Sequence, residues 1–229
     1  GSTAKPDASS ATSGSTARSA AGPFLDAMTL AEATAGIETG IALAISLSEP
    51  GPGRPRSLPA QPGLDVLAVG AIGVGSDVAS AALLGAALGA APTGLGDPVA
   101  EAAGARGADF AATRGTQGDA AYGLELLARF GGPDTAVLAG LILAAASMNV
   151  PVILDGYATG AAALVAVALA PLVTGYLVAA HNGTFTMPRI LAHLGIQPVF
   201  EVGLGHGEGT GAVMVLPMLD QVAAIAAGA

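Results

Sequence analysis

The chain has no cysteine and no tryptophan, 3% aromatic residues, and only 8 Lys and Arg against 17 Asp and Glu. The first absence excludes disulfides, thiolate metal sites and thiol nucleophiles. The second removes the usual aromatic belt of a membrane span. A net charge of −9 argues against a nucleic-acid partner, because the phosphate backbone needs a basic face. His181, His193 and His206 stand in unrelated contexts without metal-ligand spacing, so no metal and no redox cofactor is expected.

What is present is alanine and glycine: 34 of the 229 residues are glycine, and 52% of the chain is hydrophobic. Such a core packs helices closely against a sheet through many small contacts. The length suits one domain. Residues 1–22, mostly Ser, Thr, Ala and Gly, are expected to form a disordered tail, and residues 23–229 a single α/β domain. Gly1-Ser2 reads as the remnant of a cleaved tag, and no signal-peptide pattern follows it, so a cytoplasmic location is expected. The uncharged run Gly160 to Ala180 is long enough to cross a bilayer. Pro171 and Gly175 interrupt it, and a buried helix, a turn and a strand are expected there, with no membrane span.

Thr29 and Glu32 form a capping box ahead of a helix with Ile37, Ile41 and Ile45 on one face. Pro50 to Pro62, with Arg54 and Arg56, is a Pro/Gly-rich connection. Asp65 to Gly70 reads as a buried strand feeding the glycine loop Gly70–Gly75, with Ser76 or Asp77 capping a helix that runs to Ala90. Residues 91–120 are expected to be loop. Helices follow at Tyr122–Arg129 and Thr135–Ser147. A strand from Val150 closes at Asp155-Gly156, and a helix starts at Thr159. A strand at Tyr176–Ala179, a helix at Met187–Leu194, a short strand at Val199–Leu204 and a helix at Gly211–Ala227 complete the chain. Met148, Met214 and Met218 read as core filler. This alternation predicts a mostly parallel sheet flanked by helices, a Rossmann-like three-layer α/β fold. Ligands bind such sheets beyond the strand carboxyl ends, where Gly70–Gly75, Asp155-Gly156, His181-Asn182-Gly183 and Gly205–Gly211 all fall.

The last of these loops carries the most chemistry. In Gly205-His206-Gly207-Glu208-Gly209-Thr210-Gly211 a single carboxylate stands among glycines where a loop enters a helix. Helix-start amides favour an anion, and a carboxylate beside them is a candidate general base. The same pattern also describes a first-turn acid favoured by the helix dipole. Asp155 can contact a ribose hydroxyl or cap a loop at its strand end. His181 reads as a structural hydrogen-bonder, His206 as a solvent-facing loop residue, and Arg189 as a phosphate contact or a surface ion pair.

Leu124-Glu-Leu-Leu-Ala-Arg-Phe-Gly-Gly132, Ala139-Gly140, Pro151-Val-Ile-Leu-Asp-Gly156, Leu194-Gly195 and Gly207-Glu-Gly-Thr-Gly-Ala212 occur in this order. Together they resemble the nicotinate-nucleotide–dimethylbenzimidazole phosphoribosyltransferases, the family that makes the lower-ligand nucleotide of cobalamin. The resemblance runs from about residue 26 to the end. It corresponds to the later two-thirds of a family member, with the family's small domain largely missing. It implies an N-glycosyl exchange in which a benzimidazole nitrogen displaces nicotinate from nicotinate mononucleotide. Glu208 matches the base that takes the proton from the other ring nitrogen. Gly73, Gly75, Ser76, Asp155, Gly156, His181, Gly207, Gly209, Thr210 and Gly211 are then the expected substrate-binding residues, with the amides of Gly209 and Gly211 offered to phosphate. The implied partners are a small-molecule base, a nucleotide substrate and a second copy in a homodimer.

The chain also departs from the family. Where members carry Gly-Glu-Met-Gly-Ile-Gly-Asn-Thr-Thr, this sequence has Gly70-Ala-Ile-Gly-Val-Gly-Ser-Asp-Val78. Ala71 replaces a carboxylate, Val78 a hydroxyl, and Asp77 adds a charge that repels phosphate. The family's Gly-Arg-Gly-Thr-Gly loop has only the remnants Arg106-Gly107 and Arg114-Gly115-Thr116. These departures motivate a second reading, a non-catalytic relative or partner subunit that binds a base, a riboside or another small molecule.

Overall fold

The computed structural model describes residues 26–49, 63–114, 120–183, 186–205 and 207–228. The expectations for the 1–22 tail, the 50–62 connection with Arg54 and Arg56, Gly115-Thr116 and His206 lie outside the described residues.

In chain order the elements are α1 (Leu30–Ser48), β1 (Leu67–Ala68), α2 (Ser76–Leu88), α3 (Pro98–Arg114), α4 (Ala120–Phe130), α5 (Pro133–Ser147) and β2 (Val152–Leu154). They continue with α6 (Gly156–Leu169), a 3₁₀ turn (Pro171–Tyr176), β3 (Leu177–His181), α7 (Met187–Leu194), β4 (Pro198–Phe200) and α8 (Thr210–Ala226). The strands form one parallel sheet in the order β1-β2-β3-β4. Leu67 pairs with Val152, Val152 with Leu177, and Ala179 with Pro198.

Side chains alternate across a strand, so each strand serves two faces. Val152, Leu154, Leu177 and Ala179 enter the main core with Leu126 of α4, Ile142 of α5 and Leu164 of α6. Ile153 and Ala180 point the other way, into a small cluster with Ala212 and Val215 of α8. One face of the sheet is therefore thickly covered and the other carries α8.

Small residues let the helices approach closely. A Cβ on Gly40 of α1 or Gly140 of α5 would overlap the backbone of the facing helix, and so would one on Gly85 of α2 or Gly107 of α3. The close approach of α2 and α3 explains the largest difference from the sequence expectation. Residues 98–114 form a helix where a loop is expected. Their glycines, unfavourable in an isolated helix, are the contact residues at which α3 lies against α2. Glu101 fixes the start of this helix by accepting the amides of Gly94 at 3.0 Å and Leu95 at 3.1 Å.

Several smaller expectations are also corrected. The Thr29–Glu32 capping box is present, but the buried line of α1 is Ala33, Gly40 and Ala44, and Ile45 is exposed. Helix α2 is preceded by Gly75 in the left-handed region (φ 80°), and neither Ser76 nor Asp77 caps it. Helix α6 begins at Gly156 rather than Thr159, whose hydroxyl instead accepts the Asp155 amide at 2.9 Å. Met214 and Met218, expected in the core, are 44% and 42% exposed because α8 turns them away from the sheet. The uncharged run 160–180 resolves into most of α6, the 3₁₀ turn and most of β3. Among the described residues one helix, α1, is long and apolar enough to cross a membrane by length and composition. It packs against α5.

Candidate active site

The carboxyl end of β2 delivers Asp155, whose side chain is fully buried. A buried charge requires partners, and Asp155 has three. Gly209 donates its amide to Oδ2 at 2.5 Å, Gly211 donates its amide to Oδ1 at 2.9 Å, and His181 Nε2 lies 2.8 Å from Oδ1. The two glycines stand at the start of α8, where the first amides have no partner within the helix. Asp155 thus caps α8 from across the sheet edge, with its charge placed where the helix dipole favours it. An ionised carboxylate only accepts, so this network assigns the proton of neutral His181 to Nε2. His181 Nδ1 has no partner among the described residues.

This clamp leaves no room for side chains. A Cβ on Gly211 would overlap both His181 Cδ2 and Asp155 Oδ1. Gly156 adopts φ 76°, and a Cβ there would come within 2.6 Å of Gly207 Cα. Glu208 lies between these fixed points. On one side Gly207 accepts the Ala71 amide at 2.9 Å; on the other Gly209 is bound to Asp155. The backbone of Glu208 is held at both ends while the residue itself is exposed.

The structure brings Asp155, Gly156, His181, Gly207, Gly209 and Gly211 together along the segment that carries Glu208. The Gly209 and Gly211 amides, expected to meet phosphate, donate to Asp155 instead. Thr210 is exposed at the first position of α8. Gly73, Gly75 and Ser76 line a depression of about 390 Å³ with Pro133 and Asp134. A neighbouring cavity of about 630 Å³ shares Gly75 and is lined by Val78, Arg106, Arg129 and Phe130. Arg189 donates to the Ala91 carbonyl at 3.0 Å. The phenol of Tyr157, the residue after Gly156, faces the Asp77 carboxylate. Burial first, and then Asp77, hold that phenol far above its ordinary range. Sequence reasoning missed Tyr157; its one signal was an aromatic residue directly after a strand-end Asp-Gly in a chain with few aromatics.

A parallel sheet whose carboxyl edge gathers glycine loops, a capped helix start and one open carboxylate defines the class: an α/β protein with its ligand edge beyond the strand ends. The phosphoribosyltransferase family model matches residues 10–229, and the chain belongs to that family. It is 39% identical over 199 residues to the nicotinate-nucleotide–dimethylbenzimidazole phosphoribosyltransferase of Salinispora tropica, covering 84% of this chain and 51% of that protein. It is 36% identical over 214 residues to the enzyme of the same name from Desulforudis audaxviator, covering 88% and 55%. The crystal structure of the Thermus thermophilus enzyme of that name superposes with a TM-score of 0.69 at 30% identity, covering 85% of this chain and 55% of that one. The chain spans about half the length of the curated relatives it matches.

Proposed function

We propose that this chain carries the base-catalytic edge of a phosphoribosyl transfer from nicotinate mononucleotide to a benzimidazole-type base. The product is an α-riboside phosphate for the lower ligand of cobalamin. In this reaction one ring nitrogen of the base bonds to the anomeric carbon of the ribose. The bond from that carbon to the pyridinium nitrogen breaks, its electrons return to the ring, and nicotinate leaves. The proton on the other ring nitrogen passes to Glu208. A neutral azole is a modest nucleophile, and loss of this proton during attack limits the positive charge that builds on the ring.

The observation that carries the reading is the exposed Glu208 carboxylate on a backbone held by Ala71 on one side and Asp155 on the other. Fixed backbone on both sides limits the reorganisation needed to position a base. Gly73, Gly75 and Ser76, in their depression of about 390 Å³, are the proposed substrate contacts away from Glu208, a size within the usual range for small-ligand sites. Gly156, Gly207 and Thr210 shape the edge. Asp155, His181, Gly209 and Gly211 act by holding that edge in place. On this reading residues 23–229 work as one unit, in the cytoplasm and as a homodimer.

The test is to incubate the chain with nicotinate mononucleotide and dimethylbenzimidazole and to follow free nicotinate and the riboside phosphate by chromatography. Glu208→Gln is expected to slow the reaction by about a hundredfold to ten-thousandfold with an unchanged circular dichroism spectrum. Equal rates for the two proteins would remove Glu208 from the chemistry.

A further inference from the structure

Four arginines lie among the described residues. Arg114 and Arg129 pair with acids, and Arg189 donates to the Ala91 carbonyl. Arg106 alone has no partner among the described residues. In a chain of net charge −9 acids are plentiful, so a guanidinium that meets none of them is available to an anion from outside. Arg106 follows Ala103 by one turn of α3, and both line the cavity of about 630 Å³. The rest of that wall is largely apolar, with Val78 and Ala82 of α2 and Phe130 at the end of α4. Phe130 meets Phe110 edge-on at 5.2 Å, and the Arg129 guanidinium lies 5.3 Å from the centre of the Phe110 ring. Arg129 is tied in turn to Glu125 and Asp26, so this side of the cavity is fixed. Small-ligand sites commonly have this size and this make-up, apolar walls with one or two placed charges.

The chamber beside it carries the opposite charge. The depression of about 390 Å³ shares Gly75 and Ala79 with the cavity but is lined by Asp134, so an anion is drawn to the Arg106 side. At Gly75, where φ is 80°, an added Cβ would meet nothing within 4 Å, which leaves the space between the two open. We infer that the cavity binds a planar aromatic carboxylate, with its charge on Arg106 and its ring against Val78, Ala82 and Phe130. A guanidinium matches a carboxylate through two parallel hydrogen bonds. A flat ring packs against Phe130 in the offset or edge-on manner aromatic pairs favour, burial that a bare phosphate cannot supply. The proposed reaction offers this chemistry twice, as the leaving nicotinate and as the ring of its donor. The binding site goes beyond that reaction and does not depend on it.

The test is an NMR titration of the isotope-labelled chain with three probes. Nicotinate has ring and charge, nicotinamide the ring without the charge, and inorganic phosphate the charge without the ring. Nicotinate is expected to shift the amides of Ala79, Ala103 and Gly131, which line the cavity, to saturation. Nicotinamide and phosphate should bind at least about tenfold more weakly. Arg106→Gln, a change at an exposed position of α3, should weaken nicotinate about tenfold to a hundredfold and leave the melting temperature unchanged. Equal affinity for nicotinamide or phosphate would overturn the inference. So would shifts confined to Gly207, Glu208 and Gly209, or an Arg106→Gln protein that binds nicotinate as the native chain does. Nicotinate mononucleotide then separates the two sources. If Arg106→Gln weakens the mononucleotide as well as nicotinate, the cavity takes the ring while it is still attached to ribose; if it weakens nicotinate alone, the cavity takes the free acid. Either result supports the site. None of these readouts uses turnover, so the inference and the proposed reaction can fail separately.

Discussion

His181 Nε2 lies 2.8 Å from Asp155 Oδ1, and neither side chain has any exposed surface. The pair joins the ends of β2 and β3, and through Asp155 it also holds the start of α8. Neither residue needs to touch a ligand to matter, because each fixes the segment that presents Glu208.

Replacing Asp155 by Asn keeps the shape and removes the charge. One oxygen becomes an NH₂ that must face either the Gly209 amide or the donors of Gly211 and His181. A buried donor left without an acceptor costs about 1–3 kcal/mol. Asp155→Asn is therefore expected to lower the urea unfolding midpoint by the equivalent amount. It should also increase amide exchange at Gly209 and Gly211.

Gly211→Ala tests the same clamp from the helix side. The added methyl meets the His181 ring and the Asp155 carboxylate, two groups held in place by each other. Overpacking of this kind costs about 1–3 kcal/mol. The loss should show in thermal melts, whereas Gly203→Ala, which meets nothing within 4 Å, should leave the melting temperature unchanged.

Tyr157 has a phenol raised by burial and then by the facing Asp77 carboxylate. A raised folded value means that its contribution to stability is whole below the ordinary phenol value of about 10 and is lost as pH rises beyond it. Spectrophotometric titration should find a tyrosine that resists ionisation until the protein unfolds. Tyr157→Phe should remove that component, and Asp77→Asn should move it to lower pH.

The capping box at α1 has the opposite pH dependence. Glu32 receives the Thr29 amide at 2.7 Å and the Thr29 hydroxyl at 2.8 Å, and these bonds hold its carboxyl below the usual range. The stabilisation is present above the ordinary Glu value of about 4.3 and disappears as pH falls through the lower folded value. Denaturation midpoints measured across this interval should converge for the native chain and Glu32→Gln. Thr29→Ala should cost about 1 kcal/mol at neutral pH.

Much of this architecture was legible in the sequence because its signals are local. The capping box needs only Thr29 and Glu32, and the apolar run Val152–Leu154 between Pro151 and Asp155 marks a buried strand. The helix expected over Met187–Leu194 is found there, and it stops at Gly195 in the left-handed conformation. The same local reasoning failed at α3, where Gly104 and Gly107 look like breakers until α2 is laid against them. It failed again at Met214 and Met218, whose apolar character says nothing about whether a neighbouring layer is there to bury them.

By itself the sequence determined the alternation of strands and helices, the parallel sheet and the glycine setting of Glu208, since each follows from periodicity or backbone sterics within a few residues. Only the tertiary structure decided what the amides at the start of α8 do. The Gly211 amide meets a carboxylate 56 residues earlier in the chain, and no local pattern encodes that separation. Once β2, β3 and α8 are assembled, the buried charge of Asp155 needs partners, and the amides expected to await a phosphate already hold it.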